Sequence, residues 1–203
     1  MRTRLVVVPT GTANTASVNA AFRRLGVEPK FAADPDEIRD ADFVVLPGVG
    51  AFGAAIDRID EHGFREMLVD RFEEGRPTLA ICLGMQLLGE KSEESPTATG
   101  LGVIPERVDR LPQDLTVPQL GWNRVVPDPR SRFLEPGWAY FANSYKLAPI
   151  PEGWIGATTD YGGNFVSSIE RGDVLACQFH PELSGPWGAD LLGRWLNGAG
   201  GRS

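Results

Sequence analysis

Cys82, His180 and Glu182 carry the side chains best suited to covalent chemistry in this chain. Cys82 lies within Pro77-Thr78-Leu79-Ala80-Ile81-Cys82-Leu83-Gly84-Met85-Gln86-Leu87-Leu88. Thr78–Ile81 is a short apolar, partly β-branched run of buried-strand type, and Leu83–Leu88 reads as the first turns of a helix. Cys82 stands at the joint, with small Ala80 and Gly84 two residues to either side. A tight strand-to-helix turn of this kind exposes a reactive atom above a sheet and sets the thiol at the positive end of a helix dipole. The bland reading is a small core residue, because free cysteine is among the most buried types; this segment alone leaves both open.

A nucleophilic thiol needs a base. His62, in Asp60-Glu61-His62-Gly63, sits at a polar helix end and reads as a surface residue. His180 closes the apolar run Val174-Leu175-Ala176-Cys177-Gln178-Phe179-His180-Pro181-Glu182, at the rim of a sheet where Cys82 also belongs. Pro181 disfavours helix at His180. In extended chain residues i and i+2 share a side, so Glu182 is expected to reach the ring nitrogen that faces away from the thiol. Nucleophile, base and orienting carboxylate form the logic of a triad. By itself His-Pro-Glu is a surface turn; beside the Cys82 elbow the triad reading prevails.

Acyl transfer also needs donors for a developing oxyanion. The Leu83 N–H follows the nucleophile, and Gly48-Val49-Gly50 offers another, since glycine lets a peptide approach a substrate and rotate cheaply. This loop lacks the Lys-Ser/Thr ending of a phosphate-binding P-loop. Cys177 reads as core.

The elements around these residues alternate in the first half. Leu5–Val8, Lys30–Ala32, Phe43–Leu46 and Thr78–Ile81 read as strands. Asn14–Leu25, a helix opening at Asp34-Pro35, Ala51–Ile59 and Phe64–Glu74 read as helices. The order β-α-β-α predicts a mostly parallel sheet with helices on both faces, the site lying at the carboxyl ends of the strands. After a polar, turn-rich stretch at Lys91–Gly102 the second half changes to β-type segments. These are Arg107–Leu111, Arg124–Val126, Trp138–Phe141, Ile155–Thr158, Phe165–Glu170 and Val174–Gln178, expected as added antiparallel strands. A helix at Ala189–Leu196 and a Gly-Ala-Gly-Gly tail follow.

Composition narrows the function. The 203 residues fit one domain spanning 1–203. A net charge of −7 without any basic run argues against nucleic acid or an anionic membrane as partner. No apolar run approaches the roughly 18 residues of a membrane span, and the apolar part of the N-terminus is too short for a signal peptide. Two cysteines make no disulfide framework, so a cytoplasmic setting is expected. Two histidines without paired cysteine spacing make a metal site improbable, and no cofactor is called for.

Ala80-Ile81-Cys82-Leu83-Gly84-Met85-Gln86 and Gln178-Phe179-His180-Pro181-Glu182 together resemble class I glutamine amidotransferases, whose domain is flavodoxin-like. Pro47-Gly48-Val49-Gly50-Ala51-Phe52, Ser92-Glu93-Glu94, Leu120-Gly121-Trp122-Asn123, and Tyr140-Phe141 before Ser144-Tyr145 narrow the likeness to the glutaminase subunits of imidazole glycerol phosphate synthase. Gly11, Asn14 and Ser17 match the spacing of that family's N-terminal Gly-x-x-Asn-x-x-Ser pattern.

The resemblance implies hydrolysis of L-glutamine to glutamate and ammonia. Cys82 would attack, His180 would shuttle the proton and Glu182 would orient it. Val49 and Leu83 would be the oxyanion donors, the peptide leading into Val49 first needing to reorient. Gly48, Gly50, Gln86, Glu94, Ser144 and Tyr145 would surround the substrate. Ammonia would pass to a (β/α)₈-barrel cyclase subunit in a heterodimer of histidine biosynthesis, with Asn14, Gln119, Trp122, Asn143 and Leu183 toward that partner.

The chain departs from the family pattern at several places. Ala80 replaces the commoner Gly, and Pro9-Thr10 stands for Asp-Tyr. Ala13 stands for Gly, Gln119 and Asn143 for His, and Leu183 for Lys. Apart from Ala80 these lie on the side expected to face the cyclase, and bear on coupling more than on hydrolysis. The alternatives are a glutaminase of another biosynthetic pathway, a stand-alone cysteine amidase, and a non-catalytic regulatory subunit; the last has no reason to keep Cys82, His180 and Glu182 together.

Overall fold

The computed structural model describes residues 3–11 and 15–200. Five parallel strands form one half of a continuous sheet: β1 (Leu5–Val7), β2 (Lys30–Phe31), β3 (Phe43–Leu46), β4 (Thr78–Ile81) and β12 (Val174–Cys177), in the order β2-β1-β3-β4-β12. The sheet continues antiparallel through β11 (Asn164–Arg171), β10 (Ile155–Asp160), β7 (Gln119–Pro127) and β8 (Gly137–Asn143). A branch leaves β11 through β9 (Tyr145–Leu147) to β6 (Ile104–Arg110) and β5 (Gly89–Ser92).

Alternation along the strands builds two cores. Val6, Val44, Leu46, Ala80 and Ala176 face one way and pack with α2 (Pro35–Asp40), α3 (Phe52–Glu61) and α4 (Arg65–Glu73). Leu5, Val7, Val45, Leu79, Ile81, Leu175 and Cys177 face the other way, under α1 (Thr15–Arg24) and α6 (Gly185–Gly198). Side chains of successive strand residues point to opposite faces, so apolar runs with no polar alternation are what a sheet covered on both sides requires. Helix α2 is capped at its start: the N-cap Asp34 side chain accepts from Glu37 N at 2.9 Å, and Glu37 Oε2 reaches back to accept from Ala33 N at 2.8 Å.

Arg71, on α4, is fully buried. It donates to the carbonyls of Ile38, Ala41 and Pro77 at 2.9–3.0 Å and so ties three chain segments together. Burial pushes its pKa down to about 9.

Four local expectations need correction. Val174–Gln178, expected as an added antiparallel strand, is β12 of the parallel half: it pairs parallel with β4 and antiparallel with β11, and its uninterrupted buried run Val174–Cys177 is that of a strand covered on both faces. The helix after Cys82 is one turn, α5 (Leu83–Gln86), because Leu87 and Leu88 lead straight into β5. Lys91 and Ser92, read as part of a turn-rich stretch, belong to β5, which takes its strand form from parallel pairing with β6. The last helix runs over Gly185–Gly198 rather than Ala189–Leu196, since Pro186 sits in its first turn, where a missing N–H costs nothing.

Candidate active site

Parallel pairing of β4 with β12 sets Cys177 beside Ile81 and carries the next residues of both strands to the same sheet edge. The Cys82 N–H donates to Cys177 O at 2.7 Å, the last rung before the chains part. Cys82 then adopts φ 54°, ψ −110°, the only positive φ among the described non-glycine residues. Such backbone strain costs about 1–3 kcal/mol and persists where its surroundings over-determine it. Here the constraint is close approach on both sides: a Cβ on Gly84 would run into the Leu46 carbonyl, and one on Gly48 would lie 2.8 Å from Gly84 N. The loop Pro47–Gly50 and the elbow are thus in backbone contact.

His180 follows β12 and is buried, its N–H held by Tyr140 O at 2.9 Å. Its Nδ1 lies 2.8 Å from Glu182 Oε1, and both side chains are buried (6% and 3% exposed). The other ring nitrogen is left for Cys82, which lines the same cleft. Burial by itself lowers the His180 pKa; the hydrogen bonds and negative charges of Cys82 and Glu182 overrule it and push the value up to about 10. The contact with Glu182 is made through a 3₁₀ turn at Pro181–Leu183 and not through the extended chain that i, i+2 alternation assumed, because Pro181 opens a helical turn that folds the carboxylate back.

A cleft of ≈ 280 Å³ lies over the sulfur, lined by Val49, Gly50, Cys82, Leu83, Gln86, Glu94, Ser144, Tyr145 and His180, with Ala142 and Asn143. Gly48 stays beneath it, against the elbow, and its carbonyl accepts from Leu83 N at 3.3 Å. Both hydrogens of Gln86 Nε2 are used, on Tyr145 O at 3.1 Å and Gln178 Oε1 at 3.0 Å, which leaves Gln86 Oε1 as the atom for a ligand. Glu94 Oε2 accepts from Phe52 N at 2.7 Å, capping α3 directly behind the glycine loop.

The residues assigned to a partner surface scatter. Trp122 and Leu183 are exposed (54% and 38%), whereas Gln119 and Asn143, opposite each other on β7 and β8, are buried (3% and 4%). Asn14 lies outside the described residues. His62 is exposed, and Cys177 is fully buried with its thiol pKa pushed up by burial. Among the described residues no cluster of His, Cys, Asp and Glu could hold a metal ion, and no helix is long and apolar enough to cross a membrane.

Two contributors escaped the sequence reading. Gln178 touches both Gln86 and Cys82, its Nε2 being 3.7 Å from Sγ. Ser184 accepts from Tyr140 N at 2.9 Å and donates to His180 O at 2.6 Å, pinning the His-Pro-Glu turn to β8. The i, i+2 rule, which fails from His180 to Glu182 because of the 3₁₀ turn, would have reached Gln178 when run backwards along the chain.

Comparison with known proteins gives a consistent result. A sequence model of the family "Glutamine amidotransferase class-I" matches residues 6–197. The imidazole glycerol phosphate synthase subunit HisH of Symbiobacterium thermophilum is 41% identical over 95% of this chain and 92% of its own length. The chloroplastic imidazole glycerol phosphate synthase hisHF of Arabidopsis thaliana is 42% identical over 92% of this chain, which spans 33% of that longer protein. Among solved structures, a crystal structure of a glutamine amidotransferase superposes with a TM-score of 0.76 at 22% identity, covering 95% of this chain and 97% of that one.

Proposed function

The chain belongs to the class I glutamine amidotransferases and, within them, to the HisH subunits of imidazole glycerol phosphate synthase; from that premise we propose how its residues work. It is the glutaminase subunit of that synthase, an enzyme of histidine biosynthesis. The observation that carries the mechanism is the buried Cys82–His180–Glu182 arrangement at the floor of the cleft.

Glutamine enters with its carboxamide carbon over Cys82 Sγ. The sulfur attacks, the carbonyl oxygen becomes an oxyanion, and His180, protonated and held by Glu182, gives its proton to the leaving ammonia. Water then takes the reverse path, deprotonated by His180, and cleaves the thioester to glutamate. Glu94 and Gln86 Oε1 face the substrate as acceptors suited to its α-ammonium, and Ser144 and Tyr145 wall the other side. The oxyanion would be held by the amides of Val49 and Leu83. With Gly48 O on the Leu83 N–H, that position is filled in the resting chain, so the Gly48–Val49 peptide must turn before Leu83 N–H can donate to substrate.

Ammonia passes to a cyclase subunit, for which we propose a (β/α)₈ barrel in a heterodimer. The partner sits against the outer face of β7 and β8, where Leu120, Trp122 and Trp138 are exposed at 66%, 54% and 59%. Leu183 belongs to the same face, since Trp122 reaches the neighbouring Gly185. We place the protein, one domain over residues 1–203, in the cytoplasm.

Ammonia release from glutamine, measured with and without the cyclase of the same source and in Cys82→Ala, tests the proposal. Partner-stimulated activity that Cys82→Ala abolishes is the expected result. Activity indifferent to the cyclase would keep the triad and remove the synthase; no activity in either condition would leave a docking subunit without chemistry.

A further inference from the structure

The mechanism above leaves one buried group beside the sulfur unused. Gln178 emerges from β12 two residues before His180, is fully buried, and lies between Cys82 and Gln86. The two ends of a carboxamide have the same shape, so which end faces which neighbour must follow from the hydrogen-bond network.

Here the network fixes it. Tyr145 O is a backbone carbonyl and can only accept, so the Gln86 atom 3.1 Å from it is the NH₂. The second hydrogen of that NH₂ points at Gln178, 3.0 Å away, which must answer with its oxygen. The remaining end of Gln178 is therefore an NH₂, and it stands 3.7 Å from Cys82 Sγ, within the reach that a large sulfur acceptor allows. In the thiol form the S–H has an acceptor elsewhere, Ala142 O at 3.9 Å. A main-chain carbonyl thus dictates, through two side-chain amides, that the nucleophile faces a hydrogen-bond donor.

We propose that Gln178 is a further catalytic residue of this site, donating an N–H to Cys82 sulfur whenever it is anionic and holding Gln86 with its oxygen toward the substrate. The inference rests on Cys82 being the nucleophile. Sulfur is anionic twice in the cycle: before it attacks the carboxamide carbon, and again when the tetrahedral adduct with water collapses and the C–S electron pair returns to sulfur. In the second event the Gln178 N–H stabilises the leaving group, and the donor needs no proton transfer of its own. Hydrogen bonds to charged groups are roughly twice as strong as neutral ones, so the N–H contributes most in these two states.

Two substitutions separate the roles. Gln178→Glu keeps an oxygen for Gln86 but turns an acceptor toward sulfur; Gln178→Met keeps the bulk and removes both contacts. Iodoacetamide alkylation of the full chain reads Cys82, because Cys177 is fully buried, and Cys82→Ala gives the blank. Loss of a hydrogen bond to a charged sulfur lowers the alkylation rate at pH 7 by about tenfold in both variants. In the complex with the cyclase, kcat falls in both, while KM for glutamine stays within about twofold in Gln178→Glu and rises in Gln178→Met. Alkylation profiles that superimpose on the parent's would overturn the proposal. Should the fold reject a buried glutamate, Gln178→Met alone gives the alkylation result. Alkylation consumes no glutamine, so a parent chain that alkylates normally but hydrolyses nothing would refute the glutaminase reading and leave this inference to be judged on sulfur alone.

Discussion

The carbonyl oxygen of Gly48 stands 3.3 Å from the amide nitrogen of Leu83, in the place where a substrate oxyanion would have to sit. The elbow's own N–H is thus satisfied by the loop that should cooperate with it. Turning the Gly48–Val49 peptide exchanges an acceptor for a donor at that point. Removal of one oxyanion donor costs about a hundredfold or more in kcat, so the isolated chain should turn over glutamine slower than the cyclase-bound chain by at least that factor. Gly48→Ala, whose Cβ would press on Gly84 N and Leu83, should hold even the complex near the slow rate. Steady-state kinetics of the two forms decide it; equal kcat values would refute the role of the peptide.

Glu94 joins the cleft wall to the same loop. Its carboxylate caps α3 at Phe52 N, and Ser95 Oγ accepts from Gly53 N at 3.1 Å. Glu94→Ala should raise KM for glutamine about tenfold through loss of an acceptor for the α-ammonium, and lower stability by about 1 kcal/mol through loss of the cap. Kinetics and urea unfolding on one preparation test both halves; an unchanged KM would place glutamine elsewhere in the cleft.

His180 should remain protonated well above the usual imidazole range. The chain has two histidines, and His62 is exposed, so two-dimensional NMR of the imidazole carbons resolves both. We expect His180 to titrate near pH 10 and Cys82→Ala to move that titration down, since Cys82 supplies the largest upward push. Because the folded value lies above the unfolded one of about 6.5, the stabilisation is fully present below pH 6.5. It is lost as pH rises toward 10. Urea midpoints of the parent and His180→Gln should therefore converge over that interval; curves that stay parallel from pH 6 to 10 would contradict the pairing.

Arg71→Met should cost about 3 kcal/mol in urea unfolding, because three main-chain carbonyls lose their donor inside the protein. Alkylation of Cys82 in the folded variant should be unaffected, since Arg71 lies on α4 and lines no part of the cleft. A loss below 1 kcal/mol would mean that water reaches the carbonyls.

The candidate triad was legible as a set of residues because the chemistry proposed for it constrains residue type at each position: a thiol between small residues after an apolar run, and His-Pro-Glu closing another. The parallel half was legible for a similar reason, since doubly covered strands such as Phe43–Leu46 and Thr78–Ile81 are uninterrupted apolar runs. Strand β5, Gly-Glu-Lys-Ser, was not, because its two central residues are exposed and only its pairing with β6 makes it a strand. Gln178 was hidden for the opposite reason. A buried amide carries no periodic signal, and its meaning depends on Gln86 and Tyr145, which pairing across the sheet brings to it.

The adjacency of β4 and β12 also sets a timetable. Cys82 and His180 follow neighbouring strands of the sheet but lie about a hundred residues apart along the chain. At ordinary rates of synthesis, about 5–20 residues per second, the thiol leaves the ribosome several seconds before its base exists. β12 is also the strand that joins the parallel half to the antiparallel half. Until β12 is made, a nascent chain holds Cys82 without His180, so the event that joins the two halves of the sheet is also the one that first brings the thiol and the imidazole together.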